Sequence, residues 1–168
     1  QESNILFRLL EAQQLAADLE FRVVHGDANL KKKSIEISRY EKRLKDMIGT
    51  ASMLIRKYPE RDDIVRVYFA RAGAYEELKQ VAAATKDYDY LTTRFSKTNF
   101  AMRGNLSLAA FSTDAKDYKR AIFYLKRIEA EPEDPHYPFA IYQLAWSHYN
   151  LAQIPASLLY LKTYIDYY

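Results

Sequence analysis

The chain has 168 residues, 25 Lys and Arg against 22 Asp and Glu for a formal net charge of +3, with 49% hydrophobic and 28% charged residues. This balance excludes a disordered chain, and the charge surplus is too small to imply a nucleic-acid or anionic-membrane partner by itself. Without cysteine there is no disulfide, thiolate nucleophile or thiolate zinc site, and no apolar run approaches the ~20 residues of a membrane helix.

Apolar residues recur three or four apart almost throughout, and the four Gly and five Pro fall mostly between these runs, which predicts an all-α chain. From Ser3 as N-cap, a first helix carries Ile5, Leu6, Leu9, Leu10, Ala16 and Leu19 and stops at His25-Gly26-Asp27. A second starts near Asn29, carries Ile37, Tyr40, Leu44, Met47, Ile48, Ala51, Leu54, Ile55 and Tyr58 before Pro59, and has Gly49 as a point at which it can bend. A third, capped by Asp62 or Asp63, runs through about Leu78. Five more follow at about 80–95, 99–114, 117–130, 136–151 and 154–167, eight in all.

The second helix of each pair repeats itself. Met47, Ala84, Ala121 and Ser157 stand 37, 37 and 36 residues apart, and Ala51, Tyr88, Leu125 and Leu161 keep that spacing, as do Leu54, Leu91, Ile128 and Tyr164. Ala72, Ala109 and Ala145 each stand twelve residues before the small residue of the partner helix, followed by Tyr75, Ser112 and His148. Small residues set opposite one another let two helices approach closely.

On these residues the chain resembles the tetratricopeptide repeat, a helix-turn-helix unit. The resemblance covers about 62–168. Alanine replaces the family's glycine in all three units, and the period is two or three residues longer than usual. It implies antiparallel helix pairs stacked as a right-handed α-solenoid: a divergent pair over 1–60, then units at about 62–97, 98–134 and 135–168 in one continuous domain. The opening QESN and the missing C-terminal capping helix predict a piece of a longer protein, with an uncapped last helix whose apolar Leu158, Leu161, Tyr164 and Ile165 invite self-association. IRKYPERDD and LTTRFSKTNFA resemble the repeat ends of bacterial envelope tetratricopeptide proteins, which points to the periplasm or cell envelope, the cytoplasm staying open.

Motifs for chemistry are missing. His25 lies in a turn, His136 among prolines and His148 at a repeat contact, with no metal-ligand spacing near any of them. EAEPEDP (129–135) lacks the alternating ligands and Gly of a calcium loop, and Gly-rich phosphate loops and a GxSxG elbow are absent. No cofactor and no catalytic residue are expected. Lys31, Lys32, Lys33, Arg39, Lys42, Arg43 and Lys45 form the one basic concentration, interrupted by Glu36, Glu41 and Asp46, which reads as a solvated face with i,i+4 pairs.

In the family the first helix of each pair lines a concave groove. The resemblance therefore places Phe139, Tyr142, Trp146 and Tyr149 on the groove side of the last unit, Arg66, Phe69 and Glu76 in the first, and Arg103, Leu106 and Ala110 in the second. Aromatics and Arg are what protein-binding hot spots favour, although a helical aromatic stripe also serves as core. The lysine and asparagine clamp of chaperone-binding members has no counterpart here. The function this implies is a noncatalytic adaptor binding another protein or peptide. A helical scaffold of a larger cell-wall enzyme is the alternative, and RNA binding through the basic helix is a third reading.

Overall fold

A computed structural model of the chain describes the backbone of residues 1–26 and 30–167 and the side chains of 1–25 and 36–167. The described residues form eight helices, with no strand: α1 (Glu2–Gly26), α2 (Leu30–Lys57), α3 (Ile64–Glu77), α4 (Val81–Arg94), α5 (Asn99–Asp114), α6 (Tyr118–Glu129), α7 (Tyr137–Asn150) and α8 (Ile154–Tyr167). The periodicity therefore marks every helix. Asp27 and Asn29, where the first stop and the second start were expected, lie outside the described residues, as does Tyr168.

Two expected details differ. Ser3 is not a cap, because the amides of Asn4 and Ile5 both donate to the Gln1 carbonyl at 3.1 Å and so close the first turn earlier. Asp63 does stand at the N-cap of α3, yet its side chain makes no capping bond. Its two carboxylate oxygens instead accept from Arg61 Nε and Nη2 at 2.7 and 2.8 Å. α2 runs unbroken through Gly49.

The chain divides into two compact units, Gln1–Asp87 and Tyr88–Tyr168. In the first, α1 packs on α2 and α2 on α3. Lys57 Nζ donates to Glu2 at 2.7 Å and Arg43 Nε to Glu20 at 3.2 Å, pairings that make α1 and α2 antiparallel. Phe7, Leu10, Ala17 and Val24 of α1 and Tyr40, Leu44, Met47, Ala51 and Leu54 of α2 are buried. Burial pushes the Tyr40 phenol well above its ordinary range, with Glu77 adding to it. The polar centre of this unit is Arg71, which spans Asp87 of α4 with two bonds of 2.7 Å and reaches Ser52 of α2 at 3.0 Å. Asp87 is almost wholly buried, so this bidentate pair satisfies a carboxylate that would otherwise be stranded.

In the second unit α5 packs on α6, α6 on α7 and α7 on α8. Gly104 lets α5 lie close to the end of α4, since a Cβ there would stand 3.1 Å from Leu91 and Thr92 side-chain atoms. Tyr137 meets Tyr167 and Tyr142 meets Tyr164, both with ring centroids 5.7 Å apart, so α8 returns antiparallel along α7. Tyr160 of α8 ties three helices: its ring stacks on His148 of α7, and its hydroxyl accepts from Lys126 and donates to Glu129 of α6 at 3.0 Å.

The repeat is visible in burial and in the turns. Ala72, Ala109 and Ala145 are buried, as are Met47, Ala84, Ala121 and Ser157. The column Leu54, Leu91, Ile128 is fully buried, whereas Tyr164 is only half-buried and Leu161 is exposed. α3 to α4, α5 to α6 and α7 to α8 are joined by 78–80, 115–117 and 151–153, three residues each. Within each turn one residue has positive φ: Lys79 (59°), Lys116 (58°) and Ala152 (56°). The next amide reaches back five residues, Gln80 to Tyr75 at 2.8 Å, Asp117 to Ser112 at 2.8 Å and Gln153 to His148 at 2.9 Å. This is the Schellman geometry, which satisfies a terminal helix carbonyl.

Candidate binding groove

α7 presents one aromatic face because Phe139, Tyr142, Trp146 and Tyr149 follow at spacings of three, four and three, while Ala140, Ile141, Leu144, Ala145 and Ser147 are buried on the other side. All four aromatics are exposed, Trp146 by 47%. They are not core side chains.

Their neighbours separate them. Phe139 and Gln143, one turn apart on α7, line a cleft of about 190 Å³ with Leu106, Ala109, Ala110, Thr113 and Asp114 of α5 and Leu125 of α6. Its floor is aliphatic and its one charged lining residue is Asp114. Tyr142 leans away onto Tyr164 of α8. Trp146 and Tyr149 stack on each other, centroids 5.9 Å apart at 25°, and Asn150 donates to the Trp146 carbonyl at 2.8 Å. So Leu106 and Phe139 share one cleft, Trp146 and Tyr149 form an exposed stacked pair about two to three turns beyond Phe139 along the same face, and Arg103 is exposed on α5.

Arg66, Phe69 and Glu76 belong to the first unit. Arg66 is exposed; Phe69 and Glu76 are half-buried. Arg66 lines a second, polar cleft of about 400 Å³ with Asn4, Phe7, Arg8, Glu11, Arg61 and Asp63. The guanidinium carbons of Arg61 and Arg66 lie 4.9 and 5.2 Å from the centre of the Phe7 ring, a double cation–π contact. Arg66 donates to Glu11 at 3.1 Å and Arg61 to Asn4 at 3.2 Å. The hydrogen bond from Arg61 holds the Asp63 carboxyl below its ordinary range. Every arginine lining this cleft already has a carboxylate partner.

Sequence reasoning missed Thr113, Asp114 and Gln143, although the signal was present: Gln143 is four residues after Phe139 and Thr113 seven after Leu106, the same helix faces. The Phe7 cleft had none, since it joins residues more than fifty positions apart.

Of the basic concentration, Arg39, Lys42, Arg43 and Lys45 are exposed, and Arg43 and Lys45 pair with Glu20 and Glu41. The side chains of Lys31, Lys32 and Lys33 lie outside the described residues. On α8, Ile154, Leu158, Leu159, Leu161 and Ile165 are exposed. Among the described residues no helix is long and apolar enough to cross a membrane, and no group of three His, Asp or Glu could hold a metal ion. No family model, no curated protein and no solved structure matches the chain.

Proposed function

We propose that the chain is a divergent tetratricopeptide-type protein that binds a segment of another protein on the α5–α7 face of its second unit and has no catalytic role of its own. The observation that carries this reading is the cleft between Leu106 and Phe139, continued along α7 by the exposed Trp146–Tyr149 stack. A concave apolar pocket beside large, rigid, half-exposed aromatics is the arrangement in which a few anchors supply most of a binding energy. Asp114 at the rim favours a segment whose apolar anchor is followed or preceded by Lys or Arg. The placement in a bacterial envelope assembly rests on the repeat-end resemblance of 55–63 and 91–101.

The test is selection from a displayed random-peptide library on the intact chain, with Leu106→Glu as counter-target. The reading expects enriched sequences with a large apolar residue near a basic one, not retained by Leu106→Glu. Absence of enrichment, or peptides indifferent to that substitution, contradicts it.

A further inference from the structure

We infer that α1 is a dimerisation helix, pairing in parallel with α1 of a second copy of this chain. α1 carries two apolar rows. Phe7, Leu10, Ala17 and Val24 are buried in the core of the first unit. On the other side Ile5, Leu9, Ala12, Ala16, Leu19 and Val23 follow at spacings of four, three, four, three and four, with no polar residue among them. That is a 3.5-residue repeat held for nearly three heptads, the pattern of a coiled-coil seam. It faces away from the core: Ile5 is 67% exposed and Leu19 55%, and Leu9, Ala12 and Val23 are exposed as well. Three acidic residues of α1 are engaged within the chain, Glu2 and Glu20 by α2 and Glu11 by α3.

Two observations choose the occupant. The first is area. The large aliphatics of this face, with Leu15 at its edge 63% exposed, leave several hundred Å² of apolar surface. Covered by an identical face, they would bury on the order of 1,000 Å² in total, the size at which a specific interface begins. The second is charge. Taking Ile5, Ala12 and Leu19 as d and Leu9, Ala16 and Val23 as a, the g edge holds Arg8, Leu15 and Arg22 and the e edge Leu6, Gln13 and Glu20. Parallel copies set g against e, so Arg8 meets Gln13 and the Leu15 side chain meets the stem of Glu20. Antiparallel copies set g against g and bring Arg8 onto Arg22. The two central alanines let the helices approach, and a two-fold pairing of identical faces closes at the dimer. The exposed row of α8, Ile154, Leu158, Leu161 and Ile165, is shorter and has Pro155 and Lys162 at its e edge and Ser157 and Tyr164 at its g edge, with no charge pattern to set an orientation.

The experiment is sedimentation equilibrium of the intact chain at micromolar concentration, with circular dichroism to verify folding. The expected mass is twice the 19.7 kDa of one chain, and Leu9→Gln and Leu19→Gln, both at exposed positions, should give folded monomers. Because the chain lacks cysteine, Ala12→Cys should cross-link to itself on mild oxidation, whereas Asp18→Cys, turned about 120° around α1 from Ala12 and off the seam, should not. A monomeric wild type, a dimer that survives both Gln variants, a dimer broken by Leu158→Glu instead, or cross-linking only when Ala12→Cys is mixed with Ala16→Cys would each overturn the proposal.

Discussion

The backbone amide of Asp117 donates to the carbonyl of Ser112 at 2.8 Å, across a turn in which Lys116 holds φ of 58°. The same bond joins Gln80 to Tyr75 around Lys79, and Gln153 to His148 around Ala152. Three helix pairs thus turn by one device at intervals of 37 and 36 residues. In none of them does glycine fill the left-handed position, which a residue with a Cβ occupies at a cost of ~1 kcal/mol.

Lys116→Gly should therefore stabilise the second unit by about 0.5–1 kcal/mol, and Lys79→Gly the first by a similar amount. Lys116→Val should destabilise, since a β-branched residue tolerates positive φ poorly. Urea unfolding measures the three, and a loss on Lys116→Gly would refute the strain assigned to the turn.

Asp87→Ala should cost about 3–5 kcal/mol, because it leaves Arg71 partly buried with its principal charge partner gone. The pair Arg71→Met with Asp87→Leu should recover most of that loss, as replacing a buried ion pair by packed apolar groups is often close to neutral. If Asp87→Ala cost less than ~1 kcal/mol, the ion pair would not be the polar centre of that unit.

Trp146→Ala should lower stability by only about 1 kcal/mol, whereas Leu144→Ala, two residues away but fully buried, should cost about 2–5 kcal/mol. Thermal melts of both variants decide it. Equal losses would make Trp146 a packing residue.

Stability should fall on the acid side partly through Asp63. Its folded-state pKa is depressed by the Arg61 hydrogen bond, so its contribution is complete above the unfolded carboxylate value near 4 and is lost as pH drops through the lower folded value. Asp63→Asn should flatten the decline below pH ~4 and leave the neutral-to-alkaline profile unchanged. An identical acid limb in both proteins would contradict the assigned interaction.

The helices were legible because each buries one face at a 3.6-residue period, and the repeat because Ala72, Ala109 and Ala145 each stand twelve residues before a small residue that is itself buried. The caps were not legible: of those expected, Ser3 lies inside the first turn and the Asp63 side chain is claimed by Arg61, whereas the side chains that do cap are Thr98, accepting from Ala101, and Asp117, accepting from Arg120. The division of the aromatic strip was not legible. Spacing places Tyr142 and Trp146 on one helical face, but only the position of α8 decides that Tyr142 leans on Tyr164 while Trp146 stacks on Tyr149. The aromatics after Pro155 divide likewise: Tyr160 is buried, Tyr164 half-buried and Tyr167 exposed. The left-handed turns escaped notice because Lys and Ala stand where glycine is the usual sign.

The central claim is that a partner segment seats on the α5–α7 face beside Trp146, the only tryptophan in the chain. Its most direct test is tryptophan emission and acrylamide quenching during titration with a peptide selected on the intact chain. The account predicts a blue shift and reduced quenching at saturation, and binding at least tenfold weaker for Leu106→Glu. Saturable binding that leaves both the emission and the quenching of Trp146 unchanged would contradict it.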